Sequence, residues 1–284
     1  MLRPPAWFVY PTLLLVLLLA ALGRRGHADS PPPPPPLTTP ERGVLSETAA
    51  IDPFVVVRVR RKHGPNAGTA FSVGDGGVWL TAAAPLAACA HPAVLVNDVE
   101  GVAAQAVRTP DRRLSVLVSV RGAPALSLDA APPQPGALAY APGYPRGHPG
   151  EVAAHLIGAR TPRSGSRSAA PASAPTQVLV WAEMGRTEGM AQPLTGLAGA
   201  PLLDGQGRVV GLVLGDAPRR GRLYAATPAE LAAAQAAAPA GAQSARPAQA
   251  AGAAISPANY GLAGDALRRQ MRIVATACMQ PRSD

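Results

Sequence analysis

The stretch from Leu194 to Gly215, LTGLAGAPLLDGQGRVVGLVLG, leaves the chain few choices of structure. It opens on a tight turn of small residues, Gly196-Leu197-Ala198-Gly199-Ala200-Pro201. The apolar pair Leu202-Leu203, the polar turn Asp204-Gly205-Gln206-Gly207 and the apolar run Val209 to Leu214 follow. Two apolar runs separated by an Asp/Gly turn predict a β-hairpin. The preceding chain has the same grammar. Gly68 to Val73 and Val78 to Thr81 flank the turn Gly74-Asp75-Gly76-Gly77, and Phe54 to Arg61 is a Val-rich strand before them. Further strands are expected at Ala93 to Val96, Val102 to Val107, Leu114 to Val120, Ala137 to Ala141, Val152 to Ile157 and Gln177 to Ala182. Short strands at this spacing predict a barrel or sandwich.

The two ends have a different character. Ala6 to Leu22 is an apolar run of 17 residues, preceded by Arg3 and closed by Arg24 and Arg25. Such a run is short for a membrane span and long for a signal-peptide core. The arginines near the cleavage-like Gly26-His27-Ala28 favour an uncleaved signal-anchor, with cleavage near Ala28 as the alternative. Pro31 to Pro36 predict a stiff polyproline II spacer. At the other end, Pro228 opens a short Ala-rich helix reaching about Ala238. Pro239 to Pro257 reads as an Ala/Pro linker. A last helix is expected from Gly264 to Cys278, since Leu267, Met271, Val274 and Cys278 fall on one apolar stripe. That stripe is expected to dock on the β domain.

Charge narrows the partners. The formal net charge is +9 and all but one of the 26 basic residues are arginine. These arginines are scattered and no aromatic RNA-reading motif accompanies them, so nucleic acid is not expected as a partner. Two cysteines, Cys89 and Cys278, lack CxxC spacing, and the histidines His27, His63, His91, His148 and His155 are dispersed. No metal site and no cofactor are expected. In an exported chain the two cysteines either form a disulfide or pack as small apolar groups.

The Gly196–Pro201 turn and its hairpin resemble the nucleophile region of the trypsin-fold serine peptidases, in particular the bacterial HtrA/Deg-like group, which carry G-N-S-G-G-P-L and then G-x-V-V-G. Gly68-Thr-Ala-Phe-Ser-Val73 resembles the family's G-S-G-F-x-I strand. Val78-Trp-Leu-Thr-Ala-Ala83 is similar to the strand before T-A-x-H. Arg113-Leu-Ser-Val-Leu117 resembles D-L-A-V-L, and Gly143-Tyr-Pro-Arg-Gly147 resembles G-x-P-x-G. His155 to Arg160 and Leu223 to Pro228 match later strands. The resemblance implies an all-β, trypsin-like double β-barrel over residues 51–238. A signal-anchor or signal peptide (1–28) and a Pro-rich linker (29–50) precede it. A linker (239–257) and a C-terminal helix (258–284) follow.

The three positions that carry the family's chemistry have changed. The histidine position is Ala84, the aspartate position is Arg113 and the nucleophile position is Ala198. A methyl group cannot attack a carbonyl or accept a proton, so the resemblance implies a peptidase shape without the Ser-His-Asp mechanism. His91, Asp111, Thr195 and Ser115 lie near those positions but out of register. An active endopeptidase would have to use displaced residues of this kind. The oxyanion-hole-like turn Gly196-Leu197-Ala198 is expected to be collapsed, because Leu197 and Ala200 replace the family's residues. The expected function is binding of a peptide or protein ligand between the barrels, by an inner-membrane, single-pass protein with its domain in the periplasm. Secretion after cleavage near Ala28, and a structural module whose cleft is filled by its own tail, are the alternatives.

Overall fold

The computed structural model describes residues 56–58, 68–96, 100–161, 177–187, 190, 194–217, 221–242, 248–252 and 254–279. These all fall within one compact unit, Pro34–Asp284. The expected signal-anchor or signal peptide (1–28) and the expected Pro-rich linker (29–50) lie outside the described residues. No described helix is long and apolar enough to cross a membrane.

Thirteen strands are described: β1 (Val56–Arg58), β2 (Gly68–Gly74), β3 (Val78–Ala82), β4 (Pro92–Leu95), β5 (Glu100–Arg108), β6 (Leu114–Ser119), β7 (Leu138–Gly143), β8 (Gly150–Arg160), β9 (Val178–Arg186), β10 (Pro201–Leu203), β11 (Val209–Ala217), β12 (Arg222–Ala226) and β13 (Ile273–Cys278). The second barrel closes in the order β10-β11-β12-β9-β8-β7. The first runs β5-β4-β13-β2-β3-β6 and closes through β5 with β6, while β1 lies along the other half of β5. The expected double barrel is therefore present.

The chain's last strand is a correction. Residues 273–278 pair with β2 on one side, Ile273 opposite Phe71, and with β4 on the other, Cys278 opposite Pro92. The expected helix from Gly264 to Cys278 is instead helix α2 (Tyr260–Arg269), which ends before the strand begins. Its end is a Schellman-type stop. The Arg272 N–H donates to the Leu267 carbonyl at 2.9 Å, the Met271 N–H to Arg268 at 2.8 Å, and Met271 takes φ 56°. That place usually belongs to glycine, so the stop has no sequence flag. Ile273-Val-Ala-Thr is buried on both faces, and a doubly buried strand is a continuous apolar run that mimics a helical stripe. Val274 joins Ala70, Trp79, Val94, Ala104 and Leu117, one residue from each strand of the first barrel, in a single apolar cluster.

The second correction concerns the linker. Residues 248–252 and 254–256 lie against the body of the domain rather than spanning a gap. Gln249 N–H donates to Ala125 O, Ala251 N–H to Gly207 O and Ile255 N–H to Gly205 O, at 2.9–3.0 Å. The Arg272 guanidinium donates to the carbonyls of Pro124, Ala125, Gln249 and Ala250. These are main-chain interactions, which an Ala/Pro/Gln composition does not advertise.

Helix α1 (Pro228–Ala236) forms as expected, with Thr227 and Glu230 completing a capping box. A large apolar cluster joins Phe71, Leu80 and Val116 of the first barrel to Leu203, Val209 and Leu212 of the second, with Leu231 and Ala234 of α1. Helix α2 meets the second barrel through charge. Arg268, only 3% exposed, pairs with Glu151 of β8 and, at 2.6 Å, with Asp265. It also donates to the Gly143 carbonyl and stands 6.0 Å from the centre of the Tyr144 ring. Burial works against this guanidinium's charge, but Glu151, Tyr144 and Asp265 raise its pKa above the ordinary arginine value. Arg268→Met should cost about 3–5 kcal/mol, because it strands two buried carboxylates without their cation. Urea unfolding of the variant measures this, and an unchanged midpoint would refute it.

The sulfurs of Cys89 and Cys278 are bonded, with Cα atoms 5.5 Å apart and 189 positions apart in the chain. The bridge fastens the end of β13 to the segment leading into β4, not a helix to a loop. Chain-entropy estimates for so long a loop give about 4–5 kcal/mol as an upper figure. Reductant should lower the urea midpoint of the wild type and leave Cys89→Ser/Cys278→Ser unaffected. Equal sensitivity of both would contradict this.

Candidate functional site

The turn from Leu194 to Pro201 joins β9 to β10 and touches both barrels. Gly196 takes φ 99° and Gly199 φ 94°. A Cβ at Gly196 would stand 2.4 Å from the Tyr144 carbonyl oxygen, and one at Gly199 would stand 1.9 Å from the Thr69 carbonyl oxygen. Both places exclude any larger residue.

Thr69, fully buried in β2, organises the contact. Its N–H donates to the Ala198 carbonyl at 2.9 Å. Its hydroxyl donates to the Gly196 carbonyl at 2.7 Å and accepts from the Tyr144 N–H at 3.0 Å. Its own carbonyl accepts from the Thr81 hydroxyl at 2.6 Å. One residue thus ties the first barrel to the nucleophile-like turn and to the Gly143–Gly147 turn beside it. The sequence reading missed Thr69, since it counts there only as part of a strand.

The turn is braced by its own backbone. Leu197 N–H donates to Leu194 O, Ala200 N–H to Leu197 O, Gly199 N–H to Val213 O and Val213 N–H to Ala200 O. Among the described residues, the N–H groups of Gly196 and Ala198 meet no acceptor. Leu197, 1% exposed, lies in the second barrel's core with Ala200, so its side chain turns inward instead of filling the turn.

The three degenerate positions gather around this junction. Ala84 is exposed and begins a 3-10 turn, Ala84–Leu86. The Ala83 N–H donates to the Arg113 carbonyl at 2.7 Å, which holds the second position beside the first. Pro85 packs over Gly68, the neighbour of Thr69, so closely that a Cβ at Gly68 would meet it at 2.9 Å. The Ala198 methyl is partly exposed on the far side of Thr69.

Arg113 has a structural task. It is 27% exposed and grips Asp111 at 2.7 Å and Glu230 of α1 at 2.7 Å. It also donates to the Gln177 carbonyl at 3.3 Å. Burial alone would raise the Asp111 carboxyl, but the Arg113 hydrogen bonds and charge hold it below its ordinary value. Burial likewise works against Arg113, and Asp111 and Glu230 outweigh it.

Among the described residues no hydrogen bond or ion pair joins the displaced candidates to one another. Asp111 is taken by Arg113. The His91 carbonyl accepts from Met279 N–H, the Thr195 carbonyl accepts from Arg146 N–H, and Ser115 is buried in β6 opposite Thr81. Among the described residues no group of three His, Cys, Asp or Glu could hold a metal ion.

One edge beside the turn stays open. β11 pairs with β10 only as far as Leu212 and with β12 from Leu212 to Ala217, with a bulge between Val213 and Gly215. Beyond Val213 its second side has no strand partner among the described residues, and around Gly215 a Cβ would meet nothing within 4 Å.

Arg113→Asp, which restores the family's residue type, would set a third carboxylate beside Asp111 and Glu230. We expect a loss of about 1–3 kcal/mol, between an exposed and a buried ion pair. The pH dependence has a definite sign. The folded Asp111 pKa lies below its ordinary value near 3.8, so its contribution is present above that pH and is lost as pH falls through the folded value. Arg113→Ala should therefore lose stability less steeply than wild type below about pH 4. Parallel acid-unfolding curves would contradict this.

A family model described as "Trypsin-like peptidase domain" matches residues 68–212, just over half of the chain. Among solved structures, the Rv3671c protease from M. tuberculosis in its active form is 23% identical. It aligns over 62% of this chain and 77% of that one, with a TM-score of 0.51. The MamO protease domain from Magnetospirillum magneticum is 19% identical over 62% and 93% of the two chains, with a TM-score of 0.44. The HtrA-type protease AlgW with a decapeptide is 17% identical over 60% and 50%, also at 0.44. No curated protein matches the chain significantly. With two closed barrels and the turn between them in place, the chain belongs to the trypsin-like peptidase domain family.

Proposed function

We propose that this protein is a pseudopeptidase that binds an extended peptide or unfolded protein segment and does not cleave it. The observation that carries the reading is the fate of the triad positions. Ala84 and Ala198 offer methyl groups, and Arg113 is drawn into ion pairs with Asp111 and Glu230. Neither a proton acceptor nor a nucleophile stands in register, and loss of either alone costs about a millionfold in turnover in a related mechanism.

The binding half of the reading is supported by what survives. The open side of β11 beyond Val213 can accept an added strand, in which main-chain hydrogen bonds supply affinity. The described part of the tail does not lie along that edge, since β13 and α2 are used in closing one barrel and covering the other. Tethering of the domain outside the cytoplasm, through the run Ala6 to Leu22, belongs to the same proposal. An oxidising compartment suits the Cys89–Cys278 bridge.

Purified protein should leave casein and fluorogenic peptides intact, and a serine-directed phosphonate should not label it. A peptide array should retain it. Labelling that disappears on substitution of Thr195 or Ser115 would overturn the proposal in favour of a displaced active site.

A further inference from the structure

We infer that the outer wall of the second barrel docks on an anionic lipid bilayer, with Leu138 and Ile157 entering the interface and Arg160 and Arg222 facing the lipid headgroups; this rests on the membrane tethering proposed above. Alternation sets the side on which these residues stand. Ala139, Leu156, Trp181 and Leu223 belong to the barrel core, so the positions next to them face out. Leu138, His155, Ala182 and Arg222 are successive cross-strand partners, and they form one outward row across β7, β8, β9 and β12.

Two of the four exposed large apolar side chains among the described residues meet on this wall. Leu138 is 44% exposed and Ile157 is 37% exposed. Ile157 lies in the bulge between Leu156 and Gly158, two positions beyond the partner of Leu138. The Gly136 N–H donates to the Leu156 carbonyl at 2.8 Å and the Leu156 N–H to the Ala137 carbonyl at 2.9 Å, which brings the exposed Pro135 to the same corner.

Cations flank the apolar corner. Arg160 is exposed, and its guanidinium donates to the Ala159 carbonyl at 3.1 Å and lies 4.0 Å from where a Cβ on Gly158 would stand. Arg222 is exposed at the end of the outward row. Neither arginine is in an ion pair among the described residues. The two carboxylates of these four strands, Glu151 and Glu183, are paired with Arg268 and Arg186. Apolar tips beside uncompensated cations complement an anionic headgroup layer, and the formal charge of +9 acts in the same direction.

A lipid surface fits this wall better than a peptide does. β8 and β9 each have strands on both sides, so the wall offers no unpaired strand edge for an added strand. A domain anchored through Ala6 to Leu22 needs only a weak second contact, because the anchor holds it at a high effective concentration of lipid.

The test reconstitutes the full oxidised chain into vesicles of phosphatidylglycerol and of phosphatidylcholine. A nitroxide is placed on Leu138→Cys or, as a control on the first barrel, on Val120→Cys; the native cysteines are bridged to each other. In phosphatidylglycerol the label at 138 should gain accessibility to oxygen and lose it to a water-soluble nickel complex, while the label at 120 stays in water. In phosphatidylcholine, or in high salt, both labels should stay in water. Arg160→Glu/Arg222→Glu should return the 138 label to water with thermal melting unchanged. If the 138 label stays in water, moves no more than the 120 label, ignores the charge reversal, or follows protein density rather than lipid charge, this inference fails and the tethering stands. If the chain floats with neither vesicle, both fail.

Discussion

The first barrel closes only because the last strand of the chain enters it. β13 lies between β2 and β4, and without it both would present unpaired edges. Such edges invite pairing with other chains, and an inserted strand removes them. β2 is fixed on its two sides by β3 and β13, Thr69 standing opposite Ala275. From Thr69 the constraint passes outward, through its hydroxyl to Gly196 and Tyr144 and through its N–H to Ala198. The backbone of the candidate site is thus held, two steps away, by the C-terminal strand. The Cys89–Cys278 bridge and the Arg268 cluster fasten the same tail at its two ends.

The sequence made the middle of the chain legible. Glycines at 196 and 199 are demanded by positive φ and by close backbone approach, and such demands are visible in residue identity. The hairpins are visible for the same reason: period-two alternation and Asp/Gly turns are local signals. The tail was misread because its signals are not local. Leu267, Met271, Val274 and Cys278 satisfy a helical period, yet Met271 turns the chain and Val274 packs in a barrel wall. Only pairing with β2 and β4, some two hundred positions earlier, makes 273–278 a strand. Residues 248–256 were read as a linker because composition does not report main-chain hydrogen bonds to Ala125, Gly205 and Gly207.

At the site, residue types and geometry tell complementary parts of the story. The absence of the triad residues from Ala84, Arg113 and Ala198 is a fact of sequence. The use made of Arg113 is not. Its guanidinium spans from the β5–β6 connection to the capping box of α1, where Glu230 serves Thr227 with one oxygen and Arg113 with the other. A place that in the family serves to orient a histidine serves here to join the first barrel to the helix after the second.

A nucleophile turn needs a polar neighbour and a reactive side chain, but its backbone donors need only the glycines and the hydrogen bonds that hold them. Leu197 and Ala200 lie in the apolar core of the second barrel, which gives the turn a packing role that does not depend on any chemistry. Burying Leu197 is worth about 2 kcal/mol, far more than an exposed polar side chain in its place would contribute. With the turn so committed to structure, the N–H groups of the buried Gly196 and the half-buried Ala198 are unengaged among the described residues. The absence of the triad residues and the presence of the donors are compatible because they depend on different atoms: the first on the side chains at 84, 113 and 198, the second on a backbone that the packing of Leu197 and Ala200 holds.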